Sequence, residues 1–281
     1  MHNINPNIKL KTQEQNFLEC NHSKVLVFKR NHMQSNPAFS LIVPVYQEEK
    51  IIESHLSMFT EELREKHNFE LIVSDGGSAD ATAEIAKNFA DTVIIHNSPE
   101  RQTISQGRNR GADFANSDIL VFLNVDSFPA DLDKFFENIK QFANNEGKYT
   151  GKGAIASYVS GFPDEVLLKD KIFYFIHNNY VHFLNIIGLG MGRGECQIVR
   201  SDVFRLTGGY NDNIVAGEDF DLYRRISKHS KIIFDRDTLI YESPRRFRKY
   251  GYIKTIFFWL ANSITVWWFG KSVSKEWEAV R

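Results

Sequence analysis

From Phe39 onward, apolar positions fall into short continuous runs, each closed by a polar or glycine-rich cluster. FSLIVPVY opens the series and predicts a strand ending at its proline, with a helical stretch following from Glu48 to about Lys66. FELIVSDGGSADAT then reads as a buried strand entering a glycine-rich turn, ATAEIAKNFA as a helix, and TVIIHN as a third strand. A helix is predicted from about Ser105 to Ala115, and DILVFLNVD is a fourth strand. Runs that are apolar throughout, rather than alternating, fit strands covered on both faces. Strands and helices alternating at this spacing imply right-handed crossovers and a mainly parallel sheet flanked by helices.

In such a sheet, ligands bind beyond the carboxyl ends of the strands. The polar clusters fall at those ends: Tyr46-Gln47-Glu48, Asp75-Gly76-Gly77-Ser78 and Asn124-Val125-Asp126. Three sequential strand ends, each with an acid, suggest one crevice. An acid there costs several kcal/mol unless it is solvated, paired or bound to a ligand. Asp75 therefore either caps the helix that follows, with Ser78 and Asp80 as rival caps, or contacts a ligand. Asp126 is equally divided, because Asp before a Ser/Pro turn is common. Acids crowded into one crevice repel each other, and a divalent cation with a diphosphate would relieve this. The GxGxxG dinucleotide fingerprint is absent; GLGMGRG lacks its third spacing and follows no clear strand.

The remainder is less regular. VLVF at Val25–Phe28 reads as an edge strand, Ile172–Ile187 is aromatic and apolar, and GLGMGRGE is a flexible loop. CQIVRSDVFRLTGGY suggests a strand, a short helix and a turn. GEDFDLYRRISKHS is a helix opened by acids, which suits the positive end of a helix dipole.

Composition narrows the class. The chain has 281 residues, 42% hydrophobic and 25% charged, which fits one large soluble domain. With 34 basic and 35 acidic residues the net charge is -1, which argues against nucleic acid as a partner. Cys20 and Cys196 have neither zinc-ligand nor disulfide-framework spacing. The N-terminal residues are polar and lack a signal-peptide core, so cytoplasmic residence is expected. Thr255–Phe269 (TIFFWLANSITVWWF) is shorter than the roughly 20 residues a helix needs to cross a bilayer. It either lies on a membrane surface, placing the protein peripherally on the inner face of the cell membrane, or forms a buried or self-associating helix, as in a homodimer.

Taken together, VPVYQEE, SDGGSAD, GRNRGADFANSDILVFLNVDSFP, GGYNDN and GEDFDLYRRI resemble the inverting family 2 glycosyltransferases of GT-A fold, in order and spacing, over about Phe39 to Ile226. ESPRRFRKYG resembles the Arg-Arg-aromatic segment of some bacterial members. The resemblance implies an α/β, Rossmann-like GT-A domain at 37–245, an N-terminal extension at 1–36 and a C-terminal aromatic helical segment at 246–281. It places Pro44, Tyr46 and Glu48 in the loop after the first strand, facing the nucleotide. Asp75 would hydrogen-bond the base. Arg108 and Asn109, with Gly111, occupy an Arg-Asn-x-Gly motif that holds the nucleotide; without the resemblance, Arg108 reads equally as a helix-face ion pair. NVD stands for an Asp-x-Asp motif, so Asp126 would ligate manganese or magnesium. Asn124 departs from the usual first Asp and would face the ribose, with weaker metal affinity.

By the same resemblance Asp219 is the general base, with Glu218 beside it; the bland alternative for both is dipole stabilisation. Asp221 reads as structural, pairing with Arg224 or Arg225. Arg193 and Glu195 would meet the acceptor or the donor sugar, Arg245 and Arg246 the diphosphate or a membrane, and Glu242 is a further metal-ligand candidate. His177 and His182 read as incidental to an aromatic face. The implied activity is transfer of a sugar from a UDP-sugar, or a GDP-sugar, to a hydroxyl on a carbohydrate or lipid-linked acceptor. The alternatives are an inactive sugar-nucleotide-binding module, a nucleotidyltransferase, or a scaffold built on the aromatic C-terminus.

Overall fold

The computed structural model describes residues 25–30, 36–269 and 272; the polar N-terminal stretch with Cys20 lies outside them. Nine strands form one sheet: β1 (Val25–Lys29), β2 (Phe39–Val45), β3 (Phe69–Asp75), β4 (Thr92–His96), β5 (Ile119–Leu123), β6 (Ser127–Pro129), β7 (Lys152–Gly161), β8 (Cys196–Arg200) and β9 (Lys231–Glu242). Their spatial order is β1-β4-β3-β2-β5-β8-β7-β9-β6. The strands legible in the sequence, β4-β3-β2-β5, run parallel. β1 adds an antiparallel edge, so Val25–Lys29 belongs to the sheet and not to an extension. Beyond β5 the sheet is mixed: β8 is antiparallel to β5 and β7, and β9 runs parallel to β7.

Alternate residues of β2 feed two cores. Leu41 and Val43 pack on one face with Phe59, Phe69, Phe135 and Phe136, and Ile42 packs on the other with Ile72, Phe122 and Tyr223. Phe39 stacks on Phe69 with ring centres 4.9 Å apart, and Phe69 meets Phe136 at 4.7 Å. This two-sided burial is the reason the strands read as unbroken apolar runs.

Among the described residues ten helices cover the faces: α1 (Ile52–Leu56), α2 (Glu61–His67), α3 (Thr82–Lys87), α4 (Ile104–Asp113), α5 (Leu132–Ala143), α6 (Leu168–Ile186), α7 (Ser201–Leu206), α8 (Glu218–Ile226), α9 (Arg245–Tyr250) and α10 (Tyr252–Phe269). Three expectations change. The helix expected from Glu48 to Lys66 is broken in two, because the Thr60 hydroxyl accepts from Leu63 N–H and starts α2 afresh. Pro44 lies inside β2 and not in the loop after it; pairing with β5 has already stopped at Ile42, so the missing N–H forfeits no ladder bond there. Pro129 likewise closes a short strand, β6, paired with β9.

The aromatic run at Ile172–Ile187 is part of α6. Its inner face (Phe173, Tyr174, Asn178, Val181, Leu184) is buried, while Ile172, Phe175, Ile176, Phe183 and Ile186 are exposed. α10 lies beside it, with Trp259 4.9 Å from the His177 ring and 6.0 Å from Phe173. Among the described residues, no helix is long and apolar enough to cross a membrane.

Candidate functional site

Two cavities open at the carboxyl ends of the parallel strands. The first, about 450 Å³, is lined by Tyr46, Gly76, Gly77 and the loop His96–Arg101 after β4. Tyr46 lies under the Arg101 guanidinium, 5.1 Å from the ring centre. A Cβ on Gly76 would sit 3.2 Å from the Tyr46 ring, and one on Gly77, at φ +85°, would meet the His96 carbonyl at 2.9 Å. The two glycines therefore let the turns after β2, β3 and β4 close together. Asp75 holds this turn: its carboxylate accepts from Gly77 N–H at 3.0 Å, Ser78 N–H at 2.9 Å and the Ser78 hydroxyl. Asp75 is fully buried, and its bonds brace the turn without capping a helix, since α3 begins after Ala81 with no side-chain cap. The backbone N–H of Glu48 donates to Thr82 Oγ1 at 2.8 Å, tying the β2 loop to the start of α3.

The second cavity, about 380 Å³, gathers the charged candidates: Arg108, Asn124, Asp126, Arg193, Glu195, Glu218, Asp219, Glu242 and Arg246 all line it. Arg108 is delivered by α4, whose start is fixed by a reciprocal cap between Thr103 and Gln106. Its guanidinium is buried and donates to Glu218 at 2.8 Å, to Asn124 Oδ1 at 3.0 Å and to the Gly194 carbonyl at 2.8 Å. The ion pair runs across the fold to the first residue of α8 and not along the face of α4, and it ties α8 to the turns that carry Asn124 and Gly194.

Asn109 lies elsewhere. Its amide donates to the Tyr210 carbonyl at 2.8 Å and accepts from Tyr210 N–H at 2.8 Å, pinning the turn that contains Gly208 and Gly209. It lines neither cavity, nor do Pro44, Glu48, Asp75 or Arg245.

Glu218 and Asp219 open α8 after Gly217, which takes φ +86°. Burial, the neighbouring Glu218 charge and Glu195 push the Asp219 carboxyl up to about 7, against pulls from Phe220 N–H and Arg108. Asp221 is paired with Arg224 and Arg225, as its spacing predicts.

Across the cavity, Arg193 grips Glu195 at 3.0 Å and reaches Glu242 at 3.4 Å. Although burial opposes it, the Arg193 charge holds the Glu195 carboxyl down at about 2. Glu242 is driven well above the usual carboxylate range by burial and by the Glu195 charge. Arg193 Nη1 is buried and has no hydrogen-bond partner within the chain.

Asp126 is open to the cavity, yet enclosure by its walls and the Glu195 charge raise its pKa. That anionic crowding is what a divalent cation would relieve. Among the described residues no three His, Cys, Asp or Glu side chains are arranged to hold a metal, and the Asn124 oxygen is occupied by Arg108. The donor set fits a hard cation held by one carboxylate and completed by substrate phosphate oxygens.

Sequence reasoning missed the His96–Arg101 loop, although it follows a parallel strand and the strand-end rule would have found it. It also missed the apolar wall of the second cavity: Phe173, Ile176, Tyr180, Ile256 and Trp259.

Comparison with known proteins agrees with this architecture. The sequence profile described as "Glycosyl transferase family 2" matches residues 40–194, more than half of the chain. The chain is 28% identical over 200 residues to the glycosyltransferase AglE of Haloferax volcanii, covering 67% of this chain and 61% of that protein. It is 22% identical over 218 residues to a Methanococcus voltae dolichyl N-acetyl-alpha-D-glucosaminyl phosphate 3-beta-D-2,3-diacetamido-2,3-dideoxy-beta-D-glucuronosyltransferase, covering 72% of this chain and 65% of that protein. The chain thus spans under two thirds of the length of these relatives. Among solved structures, it superposes on the Pyrobaculum calidifontis mannosyltransferase PcManGT, in complex with GDP-Man and Mn2+, with a TM-score of 0.59 at 18% identity, covering 82% of this chain and 63% of that one. S. aureus TarS in complex with UDP-GlcNAc gives a TM-score of 0.53 at 17% identity, covering 73% and 58%. The shared fold is the GT-A arrangement.

Proposed function

The chain belongs to glycosyl transferase family 2, and on that premise we propose that it moves a sugar from a nucleoside-diphosphate donor, a UDP-sugar before a GDP-sugar, to an acceptor hydroxyl with inversion at the anomeric carbon. The observation that carries this reading is Asp219, a carboxylate raised to about 7 that lines the same cavity as Asp126. A base of that strength is half ionised near neutrality and takes a hydroxyl proton as the bond to carbon forms.

The nucleoside lies in the first cavity, with its base against Tyr46 and the loop His96–Arg101. The diphosphate crosses toward Asp126. The acceptor O–H gives its proton to Asp219 while its oxygen attacks the sugar C1 from the face opposite the nucleotide. The C1–O bond to the diphosphate breaks, and its electron pair leaves with the nucleoside diphosphate. Arg246, at the cavity wall, and Arg245 beside it offset charge on the leaving group. Arg193 Nη1 offers an unused donor to a sugar or acceptor oxygen. Manganese or magnesium would sit on Asp126 and, when bound, would neutralise diphosphate oxygens.

The test is release of nucleoside diphosphate from UDP- and GDP-sugars in the presence of manganese, with Asp219→Asn alongside. Turnover should fall about a hundred- to ten-thousand-fold in the variant, with nucleotide affinity kept. Binding without turnover in the unaltered protein would leave a sugar-nucleotide-binding module, and release of pyrophosphate would make it a nucleotidyltransferase.

A further inference from the structure

The acids of the second cavity face an apolar wall that the reaction just described does not use. Phe173, Ile176, His177 and Tyr180 of α6 form it together with Ile256 and Trp259 of α10. Three of these residues also belong to the outer surface: Ile176 is 56% exposed, Tyr180 40% and Ile256 37%. The wall therefore runs out of the cavity onto a mainly apolar face, in which the Asn179 amide turns back to the Phe175 carbonyl. Phe175, Phe183 and Ile186 extend that face along α6, and Ile253 and Phe257 along α10. Isolated exposed apolar residues need no explanation, but a continuous strip joined to a binding cavity marks an interaction surface.

The exposed charges that the two helices themselves carry have one sign, although Asp164 and Glu165 are exposed just ahead of α6. The exposed charged residues of the two helices are Lys169, Lys171 and Lys254. The sole carboxylate on either helix, Asp170, is buried and held by Arg248 and Tyr252. Large apolar side chains rimmed by lysines match the interface of an anionic bilayer. A second copy of the chain docked by a two-fold axis would instead bring the same lysines toward each other.

We propose that the α6–α10 face seats on an anionic lipid surface and that the acceptor is an amphiphile drawn from it. Its hydroxyl-bearing head enters beside Asp219, and its hydrocarbon tail leaves between the two helices past Ile176, Tyr180 and Ile256. The acceptor half of this proposal rests on the transferase reading above; the docking half does not.

The full chain is sedimented with vesicles of phosphatidylcholine alone and with vesicles that also contain phosphatidylglycerol. A Phe175→Gln/Phe257→Gln variant, altered outside both cavities, is run beside it. Partition should favour the anionic vesicles and fall by at least about tenfold in the variant. Calorimetry on the same protein should show decyl glucoside binding at concentrations where glucose does not, weakened about tenfold by Ile176→Gln. Equal partition of protein and variant, or a dimer that the variant dissolves with no vesicle binding, overturns the docking face. Glucose binding as tightly as its decyl glycoside overturns the amphiphile. UDP and GDP binding with manganese is measured on the same samples. Vesicle binding without nucleotide binding would remove the transferase reading and leave the lipid face standing, whereas nucleotide binding without partition would do the reverse.

Discussion

Arg108 Nη1 donates to Glu218 Oε1 over 2.8 Å, and both side chains are buried one residue away from the candidate base. Removing the cation leaves Glu218 as an uncompensated buried charge. Arg108→Met is expected to cost about 3–5 kcal/mol, seen as a fall in Tm. The same cation lowers the Asp219 pKa, so its loss should move the acidic limb of the activity profile to higher pH. Arg108→Lys keeps the charge and loses the fork; it should lower Tm while leaving that limb near its original place.

Turnover should rise with pH through the neighbourhood of 7, as Asp219 ionises. The stability effect has the opposite sign. Folding raises the Asp219 pKa from its ordinary value near 3.8 to about 7, so the folded protein binds the proton more tightly than the unfolded chain. The group's favourable contribution is present below about 4 and is lost as pH rises through about 7. Asp219→Asn should therefore raise Tm by several degrees at pH 8 and by little at pH 4, measured by thermal denaturation at both.

Asn124 replaces an expected carboxylate, yet its oxygen already accepts from Arg108 at 3.0 Å. A carboxylate at that position would be absorbed by the guanidinium. Asn124→Asp is expected to change the manganese concentration for half-maximal turnover by less than about threefold. Asp126→Ala should abolish the metal dependence altogether. A tenfold gain in metal affinity in Asn124→Asp would show that the amide had limited the site.

Gly111 has a packing reason rather than a chemical one. A Cβ there would lie 2.3 Å from Ile42 Cγ2, where α4 presses on β2. Gly111→Ala should cost about 1–3 kcal/mol by overpacking. In the Gly111→Ala/Ile42→Ala double variant the two losses should sum to less than their separate values, because the second change opens the space the first needs.

The parallel strands β2 to β5 were legible because burial on both faces writes an uninterrupted apolar run. β7 was not, since its buried run at 153–157 is built mainly of small residues, and β9 was not, since exposed charged residues interrupt it. The charged half of the second cavity could be read from NVD and GEDFDL, which the fold brings together although more than ninety positions separate them in the chain. Asn109 could not be assigned from its motif: only the three-dimensional turn shows that its amide serves Tyr210. Asp75 was divided in the sequence between helix cap and ligand, and its three hydrogen bonds stay within the turn and reach no helix start. The apolar wall escaped notice because α6 and α10 are separated by five further elements of structure, and neither helix reveals its neighbour.

α10 passes over the start of α8: a Cβ on Gly217 would meet Val266 Cγ2 at 3.7 Å, and Val266 packs with Ile214 and Phe220. Every strand of the sheet precedes α10 in the chain. During synthesis the sheet and its acids are therefore made before α10, the second of the two helices that form the wall. The cavity is assembled in time as well as in space, because α10 leaves the ribosome after the acids it covers.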